Sequence, residues 1–193
     1  QTCALPIFIA LLAAKGISAS SALINSGNAY AVPKYPVIGP FNHVITYIPE
    51  WDQYLDSTAE MAPYGVLPYD ELDKPGLLTQ LAKMGRTPKP LMENNETATG
   101  INLQIQKDGR IIGKAHTMYF GSAEIGARYR YEAANTTYGE KLANSQLAKL
   151  RQTGEGKINT SYVYDLNKPF TTDTEFTLDA IANVPGQIGR AHV

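Results

Sequence analysis

Two residues in this chain have types and spacing suited to moving protons: His43 in FNHVITYIPE and Asp56 in WDQYLDSTA. An imidazole exchanges protons near neutral pH, and a carboxylate held against it orients the ring and favours its charged form. The pair is useful only if the chain brings the two side chains to one face. The remaining inventory is sparse. Cys3 is the only cysteine. No His/Cys/Asp/Glu spacing argues for a metal site and no glycine-rich phosphate loop is present, so neither metal nor cofactor is expected.

The elements that must position the pair are two short strands. His43–Ile48 is a β-branched and aromatic run, Gln53–Thr58 is a second one, and Pro49-Glu50-Trp51-Asp52 connects them. This pattern predicts a hairpin. If Ile48 pairs with Gln53, Tyr47 faces Tyr54, and His43, Ile45, Tyr47, Tyr54 and Asp56 share a face. Asp56 is then a diagonal neighbour of His43, about 7–8 Å away along the backbone and within side-chain reach. A register slip of one residue would send the two to opposite faces. By type and pattern alone, an isolated strand histidine is more often structural than functional, and Asp56-Ser57-Thr58 also suits a strand-ending turn. Trp51, Tyr47, Tyr54 and Tyr64 either line a substrate groove or pack in a core, and core packing is favoured. His116 lies in a different module and reads as structural.

The two ends carry no structural logic of their own. QTCALPI and IGRAHV can be back-translated to strings that are mutual reverse complements, as in a sequencing adapter read through as codons. Gln1–Ile7 and Ile188–Val193 are therefore set aside as adapter-like scar, and Cys3 with them. The chain between is expected to be a fragment.

Composition narrows the class. Hydrophobic residues make up 44% of the 193, enough for a core and too many for a disordered chain. The net charge is −1 with no basic block, which argues against a nucleic-acid surface. No apolar run approaches the roughly 18 residues of a membrane span. Phe8–Lys15 reads as the rear of a buried helix stopped by Gly16, and Ile17–Ile24 as a strand. Asn25–Pro40 reads as a long loop. Residues 71–97, rich in proline, read as a linker, with a short helix or strand at Leu77–Met84. Beyond it, Ile101, Leu103 and Ile105 alternate with polar residues ahead of an Asp108-Gly109 hairpin turn. Ser122–Arg151 reads as two helices broken near Asn135–Gly139, with Ser122 as N-cap. Lys157–Asp165 and Thr174–Ile181 read as strands. The class is α+β: residues 8–70 hold the hairpin module, and 98–187 a β-rich α+β module.

The stretches LLAAKGI (Leu11–Ile17), FNHVITYIPEWDQYLDSTA (Phe41–Ala59) and APYGVLP (Ala62–Pro68) resemble the bacterial transglutaminase-like proteins that carry an upstream domain of unknown function. The resemblance covers Phe8 to about Pro68. It implies a partial transglutaminase-like (papain-like) core in which a catalytic cysteine opens the helix that ends in AAKGI, a histidine follows on one strand, and an aspartate on the next. Carried over, these last two are His43 and Asp56. The family's cysteine would lie about two residues before Cys3, so the chain as it stands would lack its nucleophile and be inactive. The resemblance further implies a parent acting on peptide, protein or cell-wall amides by acyl transfer or hydrolysis, with no cofactor, in an extracytoplasmic (periplasmic) compartment. The alternative is a non-catalytic binding or scaffold protein of the bacterial envelope that uses the same fold.

Overall fold

A computed structural model describes residues 4–28, 31–32, 39–91, 95–134 and 138–180. Cys3 and the C-terminal IGRAHV lie outside them. The chain divides into two compact units. One takes the chain to Glu96 together with Phe120–Arg128 and Tyr164–Lys168; the other takes the rest.

The first unit opens with α1 (Ala4–Ala14). Its leucines and alanines favour helix, and Pro6 sits in the first turn, where backbone N–H groups have no partner to lose. Gly16 adopts φ +78. Its N–H bonds to the carbonyl of Ala13, and that of Ile17 reaches back to Leu12, closing the helix with a Schellman turn. Two features depart from the sequence reading. The helix begins inside the segment set aside as scar, and none of its residues is buried. An apolar composition specifies helix, and here it does not specify burial.

Five antiparallel strands follow in the spatial order β3-β2-β1-β4-β5. They are β1 (Ser20–Ile24), β2 (His43–Ile48), β3 (Gln53–Leu55), β4 (Pro75–Leu78) and β5 (Lys83–Arg86). β2 and β3 form the expected hairpin, with Ile48 opposite Gln53 and Tyr47 opposite Tyr54. Its connection is a turn of 3-10 helix, Pro49–Trp51, completed by Asp52 at φ 48. The Tyr47 hydroxyl donates to Asp52 Oδ1 at 2.9 Å and braces that left-handed residue. Residues 75–86, read as linker, instead form the β4–β5 hairpin, and β4 pairs with β1. Pro75 can begin a strand because the first position gives up little of the ladder. The core gathers Ala22, Ile24, Ile45, Tyr47, Tyr54, Leu67, Leu72 and Leu78. Tyr47 and Tyr54 pack at a tilt, with ring centroids 4.8 Å apart and planes at 43°.

Sequence from Phe120 also enters this unit. α2 (Ser122–Tyr131) belongs to it as far as Arg128. Ser122 does not cap with its hydroxyl, which donates to the Leu67 carbonyl at 2.8 Å. The Arg128 guanidinium is fully buried, paired with Glu124 one turn earlier and bonded to the carbonyls of Asp165 and Lys168.

The second unit is a four-stranded antiparallel sheet of order β6-β7-β9-β8. Its strands are β6 (Thr97–Ile105), β7 (Ile111–Tyr119), β8 (Gly154–Thr160) and β9 (Phe170–Leu178), and α3 (Gly139–Lys149) lies against β8. Gly109 takes φ 84 at the predicted β6–β7 turn. Tyr119, Tyr131 and Phe170 pack together in its core. β6 is exposed along its whole length, so Ile101, Leu103 and Ile105 mark strand period without marking a buried face. His116 is exposed and pairs with Asp173 across β7 and β9 at 2.7 Å. Both units together give an α+β protein, and among the described residues no helix is long and apolar enough to cross a membrane.

Candidate functional site

His43 begins β2, where pairing with Ile24 fixes its backbone. The residue before it is also tied down: the Asn42 N–H bonds to the Ile24 carbonyl, and the Asn42 side chain accepts from the Ser26 N–H at 2.9 Å. Asp56 follows the last residue of β3. Its Oδ1 accepts from the Thr58 N–H at 2.8 Å and from the Thr58 hydroxyl at 2.7 Å. Such a turn, in which an aspartate bonds the backbone two residues on, is a common strand-ending device. Here it also aims the other oxygen. Asp56 Oδ2 lies 3.1 Å from His43 Nε2, and both side chains are largely buried.

A third group completes the cluster. Glu71 ends a 3-10 turn, Tyr69–Glu71, and is 4% exposed. Its Oε1 stands 3.2 Å from the same His43 nitrogen. Thr87, just after β5, holds this turn in place. Its hydroxyl donates to the Glu71 carbonyl at 2.6 Å and accepts from the Lys74 N–H at 2.8 Å. The Asp73 N–H then bonds to the Pro88 carbonyl. Sequence reasoning missed Glu71. It lies in a proline-rich stretch read as linker, with no periodicity to assign it to a face.

The three groups set one another's protonation. The bond with Asp56, helped by Glu71, raises His43 to about 10, well above an ordinary imidazole, although burial opposes the charge. Burial likewise disfavours the Asp56 carboxylate, but bonds from His43, Glu71 and Thr58 outweigh it and hold this carboxyl far below its usual range. Glu71 goes the other way. Burial pushes it up to about 7, and Asp56 adds to the rise. One N–H cannot satisfy two ionised carboxylates, so the second carboxyl retains its proton more readily. Near neutral pH the site is an imidazolium, a carboxylate and a carboxyl close to its titration point. His43 Nδ1 makes no hydrogen bond with any described residue.

His43, Asp56 and Glu71 also form the one group of metal-ligating side chains among the described residues whose ligand atoms lie within 4.8 Å of one another. Their spacing along the sequence, 13 and 15 residues apart, gave no sign of this group, which the fold of the first unit assembles. The other aromatics divide: Tyr47 and Tyr54 are core residues, whereas Trp51 and Tyr64 are 48% and 73% exposed. No protein-family model, curated protein or solved structure matches this chain.

Proposed function

We propose that this chain carries the His–Asp half of a transglutaminase-like thiol acyltransferase or amidohydrolase, acting on peptide, protein or cell-wall amides. The observation that carries the reading is the 3.1 Å contact between His43 Nε2 and Asp56 Oδ2, which leaves Nδ1 unengaged. In this reading a cysteine supplied by sequence upstream of Phe8 sits at the start of α1. There the helix dipole and the His43 imidazolium both favour its thiolate. The thiolate attacks an amide carbonyl carbon. As the C–N bond breaks, Nδ1–H gives its proton to the departing amine, leaving a thioester and a neutral ring. An amine or water then attacks the thioester, His43 takes its proton, and the sulfur leaves as thiolate. Asp56 orients the ring and supports its charged form throughout.

The test is turnover of amide and ester substrates. The chain as given is expected to show none, and Cys3→Ala is expected to change nothing. A version extended upstream to the helix start is expected to turn over, and to lose at least about 100-fold with His43→Ala. Turnover by the unextended chain that disappears in Cys3→Ala would overturn the proposal, as would an extended chain indifferent to His43.

A second reading, a non-catalytic binding or scaffold protein of the bacterial envelope, is favoured by β6. This uncharged edge strand exposes Ile101, Leu103 and Ile105, which is an invitation to another chain. An extended chain that is inert yet captures an envelope polypeptide through β6 would support it.

A further inference from the structure

Two carboxylates converge on one atom of this protein. Asp56 Oδ2 lies 3.1 Å and Glu71 Oε1 3.2 Å from His43 Nε2, and the three ligand atoms lie within 4.8 Å of one another. That nitrogen carries at most one N–H, which has one direction and cannot point straight at both oxygens. A metal ion binds donors in several directions at once. Donors about 2.1 Å from a tetrahedral zinc ion stand about 3.4 Å from one another, close to the two spacings at His43. Glu71 supplies a separate sign. Its side chain is 5% exposed and turned to His43, yet Oε2 has no hydrogen-bond partner. A buried carboxylate oxygen without a donor is costly, and a cation beside it offsets that cost. The donors are also held from behind. Pairing with Ile24 fixes the His43 backbone, the Thr58 N–H holds Asp56 Oδ1, and the Thr87 hydroxyl holds the Glu71 carbonyl. Bonds of this kind aim the groups that bind a metal.

We propose that His43 Nε2, Asp56 Oδ2 and the Glu71 carboxylate bind one divalent first-row transition metal ion, with zinc the best fit. Two carboxylates balance the charge of the ion. The imidazole selects against magnesium and calcium, which take oxygen donors. Three protein ligands leave one position of a tetrahedral ion for water or another ligand. As the complex forms, the Nε2–H bond breaks, its proton goes to solvent, and the nitrogen lone pair binds the ion. Any proton on Glu71 leaves in the same way. An ion on Nε2 keeps the remaining ring proton on Nδ1, so that nitrogen cannot accept another. If the acyl-transfer reading holds, the metal-bound site is therefore its silenced form. The metal site itself does not rest on that reading.

The experiment is a titration of this chain with zinc chloride, read by calorimetry and by NMR of the histidine ring nitrogens. A background of Cys3→Ala, His116→Gln and His192→Gln removes the only cysteine and the other two histidines. One zinc per chain is expected in that background, with the His43 Nε2 signal displaced and its proton lost while Nδ1 keeps its own. Glu71→Gln is expected to weaken binding at least about 100-fold, beyond the range of a change behind the ligands. Manganese is expected to bind the same site more weakly than zinc. Failure of zinc to bind the background chain, or binding that leaves the His43 ring signals in place, would overturn the proposal without any change at the site. So would a Glu71→Gln protein, folded by its amide spectrum, with unchanged zinc affinity. None of these readouts needs turnover. The acyl-transfer reading is tested separately, by turnover of the upstream-extended chain with a chelator present, so either can fail alone.

Discussion

Thr58 grips Asp56 through its backbone N–H, which donates to Oδ1 at 2.8 Å, and through its hydroxyl, which lies 2.7 Å from Oδ1 and 3.0 Å from Oδ2. The clamp turns Oδ2 towards His43 and helps keep the carboxylate ionised. Thr58→Val retains the methyl-bearing shape and the backbone bond but loses the hydroxyl. It is expected to cost about 1 kcal/mol in urea unfolding, to raise the Asp56 titration and to lower that of His43. An unchanged His43 titration would show that the hydroxyl bond contributes nothing to the dyad.

The same cluster fixes how stability depends on pH. His43 is raised from 6.5 to about 10, so its contribution is complete below 6.5 and is lost as pH rises through about 10. Glu71 is raised from 4.5 to about 7, so the folded state holds a proton the unfolded state has released, and stability falls between those values. Asp56 has the opposite sign: its contribution is present above 3.8 and is lost as pH falls through its depressed folded value. Urea unfolding followed across pH is expected to show this site's contribution greatest at about pH 4–5 and declining towards alkaline pH. His43→Gln is expected to flatten the alkaline decline. A wild-type profile that climbs steadily from acid to alkaline pH, with no such difference from the variant, would contradict these assignments.

Gly85 lies on β5 against the aromatic pair. A Cβ there would come 2.5 Å from the Tyr54 hydroxyl oxygen and 3.1 Å from a methyl of Leu78. Tyr54 is a buried ring packed at a tilt against Tyr47, so it has little room to retreat. Gly85→Ala is expected to destabilise by about 1–3 kcal/mol through overpacking. Thermal unfolding measures this, and a neutral result would mean that β5 can move outward at little cost.

Arg128 and Glu124 test whether a buried pair is held by charge or by shape. Glu124→Ala strands the buried guanidinium and is expected to cost about 3–5 kcal/mol. Arg128→Met in a Glu124→Leu background removes both charges and keeps the volume, and is expected to recover most of that loss. Equal damage from the two variants in denaturant titrations would show that the bonds from Arg128 to the Asp165 and Lys168 carbonyls matter more than the pair.

Much of the scaffold was legible along the chain because it is encoded locally. The stop at Gly16, the register of Tyr47 against Tyr54, the Asp108-Gly109 turn and the break between α2 and α3 each follow from residues within a few positions of one another. Periodicity and turn chemistry act over that range. They sufficed to place His43 and Asp56 on one face and within reach.

What the sequence could not disclose depends on contacts between distant segments. Glu71 reaches His43 because Thr87 pins a 3-10 turn and because β4 inserts beside β1, neither of which leaves a local pattern. Burial was equally hidden: the apolar α1 is uncovered while the charged Arg128 is sealed. Composition sets which conformation a segment prefers. Only the folded chain decides what stands next to it, and proton affinity at His43 is a property of those neighbours.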